Sequence, residues 1–150
     1  MNPHTIRIEK RDRIAVVIMD RPDKNHAFDA VMFDSLKRVT EELKRNLPRA
    51  VVLTGSGDRA FCAGFDVSLE NPMTGEFLKA VETKDAEAAG NLLKRMRHAI
   101  DAFVNLQVPV IAAINGAAYG GGAELAIRCD LRVMENTAEI CFSEVRLGLM

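Results

Sequence analysis

The chain has no excess of either charge. Its 150 residues carry a formal net charge of −1. No basic stripe favours nucleic acid or an anionic membrane surface, and no acidic block forms a tail. Cysteine is sparse. Cys62, Cys129 and Cys141 are an odd count without a C-x-x-C pair, which argues against zinc and redox-dithiol frameworks and for buried free thiols in a reducing compartment. The N-terminal stretch has no long apolar run. Ile14 to Met19 is too short for a signal-peptide core or a membrane span, so the cytoplasm is the expected location. There is no linker-like shift in composition and no low-complexity segment. The two glycine-rich stretches also lack nucleotide-binding signatures. Gly55-Ser56-Gly57 is not followed by the Lys-Ser/Thr of a phosphate loop, and neither it nor Gly120-Gly121-Gly122 has G-x-G-x-x-G spacing.

What is present is an ordinary soluble composition, 48% apolar and 27% charged, in one domain over residues 1–150 that is large enough to bury a core. Thr5 to Glu9 alternates like a strand, Lys10 to Arg13 is polar, and Ile14 to Met19 is a buried strand, which together predict a hairpin. After a loop at Arg21 to His26, Asp29 is placed to cap a helix. Met32, Leu36, Val39, Leu43 and Leu47 line one face of it, and Pro48 ends it. Ala50 to Thr54 is a covered strand. Asn71 to Thr83 has no firm period and is expected to be a mobile loop or short helix. A long helix from about Lys84 to Leu106 turns Ala89, Leu92, Met96, Ile100 and Phe103 inward. Val110 to Ile114 is the next buried strand. A short helix follows Gly116 to Gly122 and carries Glu124, Leu125 and Ile127. Leu131 to Met134 and Glu139 to Phe142 are further strands. The alternation predicts an α/β fold. Apolar strand, glycine turn and helix recur at Val51 and Val110, which would place both turns at one edge of a sheet, where ligands bind.

Two carboxylates stand out, Glu124 after the triple glycine and Glu144 after an apolar strand. A lone glycine cluster is adequately explained as a tight turn, and a lone glutamate as a solvated or helix-dipole residue. Glu124, however, sits among Ala123, Leu125 and Ala126. That setting predicts partial desolvation and a proton affinity raised toward proton transfer. Two carboxylates in unlike surroundings can divide into acid and base.

Ala60-Phe61-Cys62-Ala63-Gly64-Phe65-Asp66-Val67 resembles the first signature of the enoyl-CoA hydratase/isomerase (crotonase) family. Val108 to Ala126, through Asn115-Gly116-Ala117-Ala118-Tyr119-Gly120-Gly121-Gly122-Ala123-Glu124, resembles the second. Cys129-Asp130-Leu131-Arg132 and Phe142-Ser143-Glu144-Val145-Arg146-Leu147-Gly148 continue it. The resemblance implies a crotonase-like spiral of ββα units and acyl-coenzyme A thioester substrates. It implies that the backbone N–H groups of Phe65 and Gly121 hold the thioester oxygen as it becomes an enolate, a role for which pre-aimed dipoles are suited. It also implies that Glu124 activates water at the β-carbon while Glu144 delivers a proton to the α-carbon, hydrating a 2-enoyl-CoA to a 3-hydroxyacyl-CoA in fatty acid metabolism. The substrate would rest against Lys24, Asn25, Ala63, Asp66, Val67 and Gly120, with Lys24 facing a phosphate. Coenzyme A would enter as part of the substrate, with no separate cofactor and no metal. Partners would be further copies of the chain, as a trimer or dimer of trimers.

This sequence departs from the family pattern in three places. His26 stands where asparagine is usual, and Ser143 replaces a proline before the second glutamate. The family pattern also runs on for roughly a hundred residues that close the pocket and build trimers, so the chain resembles the N-terminal part of a crotonase. Double-bond isomerisation or thioester hydrolysis on the same platform is the first alternative. A non-catalytic acyl-CoA-binding or interaction module is the second.

Overall fold

The computed structural model describes residues 5–144. Strands β1 (Ile6–Arg11) and β2 (Ile14–Met19) form the expected hairpin, antiparallel with Ile6 opposite Met19. The first strand runs two residues further than its alternation suggested, because Asp12 takes the left-handed φ of 54° that makes the turn. From β2 onward the pairing is parallel. Strands β3 (Ala50–Gly55), β5 (Val110–Ile114) and β7 (Leu131–Met134) extend a five-stranded sheet in the order β1-β2-β3-β5-β7. Each of these last three strands leads into a short strand of a second sheet. These are β4 (Ala60–Cys62), β6 (Ala117–Tyr119) and β8 (Ile140–Cys141), in the order β4-β6-β8 and also parallel. Helices close the units: α1 (Ala30–Arg45), α2 (Pro72–Glu82), α3 (Ala86–Val104) and α4 (Gly121–Arg128). The result is the expected α/β spiral of strand–strand–helix units.

The core lies between the main sheet and helices α1 and α3. Val17, Met19, Val51, Leu53, Val110, Ala112 and Ile114 are buried on the strands. Met32, Leu36, Val39 and Leu43 of α1 and Leu92, Ile100 and Phe103 of α3 pack against them. Each such side chain contributes about 1.5–3 kcal/mol when fully removed from water. The Asp29 side chain accepts the Met32 N–H at 2.8 Å and so caps α1 as expected.

Of the loop or short helix expected over Asn71 to Thr83, the helix is present as α2, capped by the Asn71 side chain, which accepts the Met73 N–H at 3.2 Å; three other places depart from expectation. Helix α1 stops at Arg45, before Pro48, and Leu47 lies outside it, half exposed. In α3, Ala89 and Met96 are only partly buried, and Ala99 takes a core position. Cys62 and Cys129 are buried as expected, whereas Cys141 is half-buried. Burial pushes the thiols of Cys62 and Cys129 up to about 12.

Candidate active site

The two glycine turns lie where the recurrence placed them, at the same edge of the sheet. Strands β3 and β5 are neighbours, with Val51 opposite Val110. The Asn115 side chain ties the turn after one to the turn after the other. Its Oδ1 accepts from the Thr54 hydroxyl and the Gly55 N–H, both at 3.1 Å, and its Nδ2 donates to the Gly55 and Gly57 carbonyls at 3.0 and 2.8 Å. Every hydrogen-bonding group of the amide is used.

Past these turns the chain segments converge further. Gly64 has φ 86°, and a Cβ there would stand 2.6 Å from the Tyr119 carbonyl oxygen and 2.9 Å from the Gly121 nitrogen. A Cβ on Gly122 would stand 2.1 Å from the Cys62 carbonyl oxygen. Only glycine permits this approach of backbone to backbone. It sets the Gly64-Phe65 peptide beside the N-terminus of α4. Among the described residues, no acceptor takes the Phe65 N–H. The Gly121 N–H lies in the first turn of α4, where helical N–H groups lack an intrahelical partner.

The segment from Arg21 to Phe28 supports this edge. The Phe28 N–H donates to the Gly64 carbonyl at 2.7 Å, the Asp66 N–H to the Phe28 carbonyl at 2.9 Å, and the Ala63 N–H to the Asn25 carbonyl at 2.9 Å. Phe28 and Phe65 thus form an isolated parallel bridge. Arg21 holds the underside: its guanidinium meets Asp66 at 2.8 Å, Asp29 at 3.2 Å and the Ala27 carbonyl at 2.9 Å. Burial alone pushes the Asp66 carboxyl up. The hydrogen bond from the Ser68 N–H and the charge of Arg21 outweigh it and hold the carboxyl below its ordinary value. Asp66 is buried against Arg21, so its side chain supports the loop from within. Asn25, Ala63 and Gly120 lie at the convergence, Val67 is exposed beside it, and Lys24 pairs with Glu70 at 3.1 Å across its mouth.

The two glutamates differ in surroundings. On α4, Gly122, Ala123, Leu125 and Ala126 face the core, and at 100° per residue Glu124 points the opposite way. Its side chain is 45% exposed and pairs with Arg128 one turn on, at 3.2 Å, while Arg128 also bonds Asp101 of α3. Glu124 is thus half-buried, with its carboxylate turned toward Arg128. Glu144 is the enclosed carboxylate. Its Oε1 lies 2.9 Å from where a Gly120 Cβ would stand, and its Oε2 is buried with no hydrogen-bond partner among the described residues. The continuation of its motif, residues 145–150, lies outside the described residues. A concavity of about 330 Å³ between α2 and α3, lined by Lys79, Thr83 and Arg95 among others, is separate from these groups. Among the described residues there is no grouping of three metal-ligating side chains and no helix long and apolar enough to cross a membrane.

Sequence reasoning missed Arg21 and Asn115. Arg21 acts through the carboxylates of Asp29 and Asp66, and Asn115 through main chain some sixty residues away. Only the position of Asn115 directly before Gly116 hinted at a turn role.

The sequence model of a family described as Enoyl-CoA hydratase/isomerase matches residues 9–150. The crotonyl-CoA hydratase of Syntrophomonas wolfei is 36% identical over 147 residues, covering 95% of this chain and 51% of that protein. The short-chain-enoyl-CoA hydratase of Clostridium acetobutylicum is 32% identical over 150 residues, covering 99% of this chain and 53% of that protein. Among solved structures, an enoyl-CoA hydratase/carnithine racemase from Magnetospirillum magneticum superposes with a TM-score of 0.83 at 30% identity, covering 97% of this chain and 52% of the other. The chain spans about half the length of these relatives.

Proposed function

The chain belongs to the enoyl-CoA hydratase/isomerase family, and from that premise we propose that it carries the thioester-activating core of an enoyl-CoA hydratase. The observation that supports this reading best is the abutment of Gly64 on Gly121, with the Glu144 carboxylate beside the neighbouring Gly120. In the proposed reaction the thioester oxygen of a 2-enoyl-CoA accepts from the Phe65 and Gly121 N–H groups. Glu124 takes a proton from water as its oxygen bonds to the β-carbon. Electrons of the double bond move onto the thioester oxygen, and Glu144 returns a proton to the α-carbon. The product is a 3-hydroxyacyl-CoA. Donors fixed in advance need no reorganisation as charge develops, and losing one costs ~10²–10³ in rate. Asn25, Ala63 and Gly120 would line the thioester's path. Lys24 would exchange Glu70 for a phosphate as a point charge. Coenzyme A is part of the substrate in this reading, and the assembly is a trimer or dimer of trimers.

The exposure of Glu124 and its pairing with Arg128 favour a second reading, double-bond isomerisation with Glu144 as the one proton carrier. Crotonyl-CoA hydration, followed as loss of the conjugated enoyl-thioester absorbance, separates the two. Under hydration, Glu144→Gln and Glu124→Gln each lower turnover by ~10²–10⁴. Under isomerisation, the wild-type chain moves the double bond of a 3-enoyl-CoA, and Glu124→Gln retains that activity. A folded chain that binds crotonyl-CoA and turns over neither substrate would be a binding module.

A further inference from the structure

His26 is 1% exposed and sits in the left-handed region at φ 59°, directly after Asn25 at φ 47°. Its ring lies over Gly55, where an added Cβ would meet Cδ2 at 2.8 Å. Both ring nitrogens are engaged by main chain. Nδ1 accepts the Arg21 N–H at 3.0 Å, and Nε2 lies 3.0 Å from the Ser56 carbonyl oxygen. A carbonyl can only accept and an N–H can only donate, so these partners require the neutral tautomer with its proton on Nε2. The His26 main chain adds two more ties. Its N–H donates to the Arg21 carbonyl at 2.9 Å, and its carbonyl accepts the Cys62 S–H at 3.2 Å. One residue thereby fastens the Arg21 turn, the Ser56 turn and the end of β4. Phe28, two residues on, bonds directly to the Gly64–Asp66 segment that bears the Phe65 N–H.

We propose that His26 is a positioning residue for the Phe65 donor, a latch that holds the 21–28 segment in place only while its imidazole is neutral. The proposal rests on the reading of Phe65 as a thioester-oxygen donor. A second proton on the ring would set Nδ1–H against the Arg21 N–H, two buried donors with no acceptor between them. The charged groups around the ring pull in both directions. Asp20 favours the imidazolium and Arg59 opposes it, while the Arg21 guanidinium is neutralised by Asp66 and Asp29. Burial is the largest influence and holds the His26 pKa below 6.5 despite the Ser56 hydrogen bond. The latch is therefore closed above pH 6.5 and opens as the pH falls through the lower, folded-state value.

The test is nuclear magnetic resonance of the ¹⁵N-labelled chain from about pH 8 to 5, with crotonyl-CoA affinity measured over the same range. The expected result is an Nε2–H tautomer, an imidazole midpoint below 6.5, and a Phe65 amide signal that shifts with that midpoint. Only the closed fraction binds, so the thioester dissociation constant rises by about tenfold per pH unit below the midpoint. His26→Gln offers the same acceptor and donor without titrating. It should keep the high-pH affinity and hold the Phe65 signal still. An Nδ1–H tautomer, a Phe65 amide that ignores the His26 titration, or an unchanged Phe65 titration in His26→Gln would overturn the proposal. If the glutamine variant does not fold, the wild-type tautomer and the coupling to Phe65 decide alone. Absence of crotonyl-CoA binding at every pH would instead defeat the functional reading, because the amide and imidazole signals need no ligand.

Discussion

Replacing Gly122 with alanine tests how closely α4 must sit on β4. The new methyl carbon would stand 2.1 Å from the Cys62 carbonyl oxygen and 2.8 Å from its carbonyl carbon, where ordinary contact begins at 3.4 Å. Both obstacles are main chain and cannot swing aside, so the helix must retreat by roughly 1 Å in a close-packed interior. Overpacking of this kind costs about 1–3 kcal/mol. At about 2–4 °C per kcal/mol for a chain of this length, the melting temperature should fall by roughly 2–12 °C. Gly121 opens the same helix, so a retreat of about 1 Å should also cost on the order of 10²-fold in any thioester reaction that the site performs. Gly90→Ala is the matched control. Gly90 lies inside α3, and an added Cβ there meets no atom within 4 Å. The same chemical change should therefore stabilise by about 0.5–1 kcal/mol through helix propensity. Thermal unfolding of both variants by circular dichroism gives the answer. If Gly122→Ala melts at or above the wild-type temperature, or if both variants shift in the same direction, the argument from close approach is wrong.

Three other outcomes follow from the geometry. Arg21→Ala leaves the buried Asp66 carboxylate without its cation and should destabilise by about 1–3 kcal/mol, read as a lower denaturant midpoint. Asp66 is held below 3.8 in the folded state. The stability it contributes is present above that pH and lost as the pH falls through its folded value, so the Arg21→Ala deficit should shrink in strong acid. Asp29→Ala removes the cap on Met32 N–H and should cost about 0.5–2 kcal/mol in the same assay. Cys62 and Cys129, buried with thiols pushed up to about 12, should resist alkylation at neutral pH until the chain unfolds. Mass spectrometry of iodoacetamide-treated native protein showing either one labelled as fast as a free thiol would contradict their burial.

The long strands and the site's position were legible because their signals are local. Val51-Val52-Leu53 and Val110 to Ile114 are apolar runs closed by glycine turns, and finding that pattern twice was enough to place both turns at one sheet edge. Strands β4 and β6 were not legible. At three residues each they are too short to show a period, and they exist because distant segments pair. Helix α2 was legible only as one of two alternatives, because Gly75 dilutes its propensity and its packing against α3 is non-local. The partial cover of Glu124 was legible from its neighbours, whereas its pairing with Arg128 shows only on the helical face. A residue-by-residue turn of 100° puts it opposite Gly122 and Ala126 and in line with Arg128. Arg21 and His26 carry no periodic signal, because loop residues that bond main chain leave no trace in a hydrophobic pattern.

The Asn115 side chain also bears on how the chain avoids mispairing as it folds. Neighbouring parallel strands of similar apolar sequence have a near-degenerate error available to them. A slip of one residue is forbidden, since it turns every buried side chain to the wrong face. A slip of two keeps the faces correct and loses only some fit. That slip would carry Asn115 about 7 Å along the strand, breaking all four of its bonds to the other turn at once. A single amide thus turns a shallow preference into a sharp one. It leaves the strand interiors free to drift in sequence while the seam between the two repeated units stays in alignment.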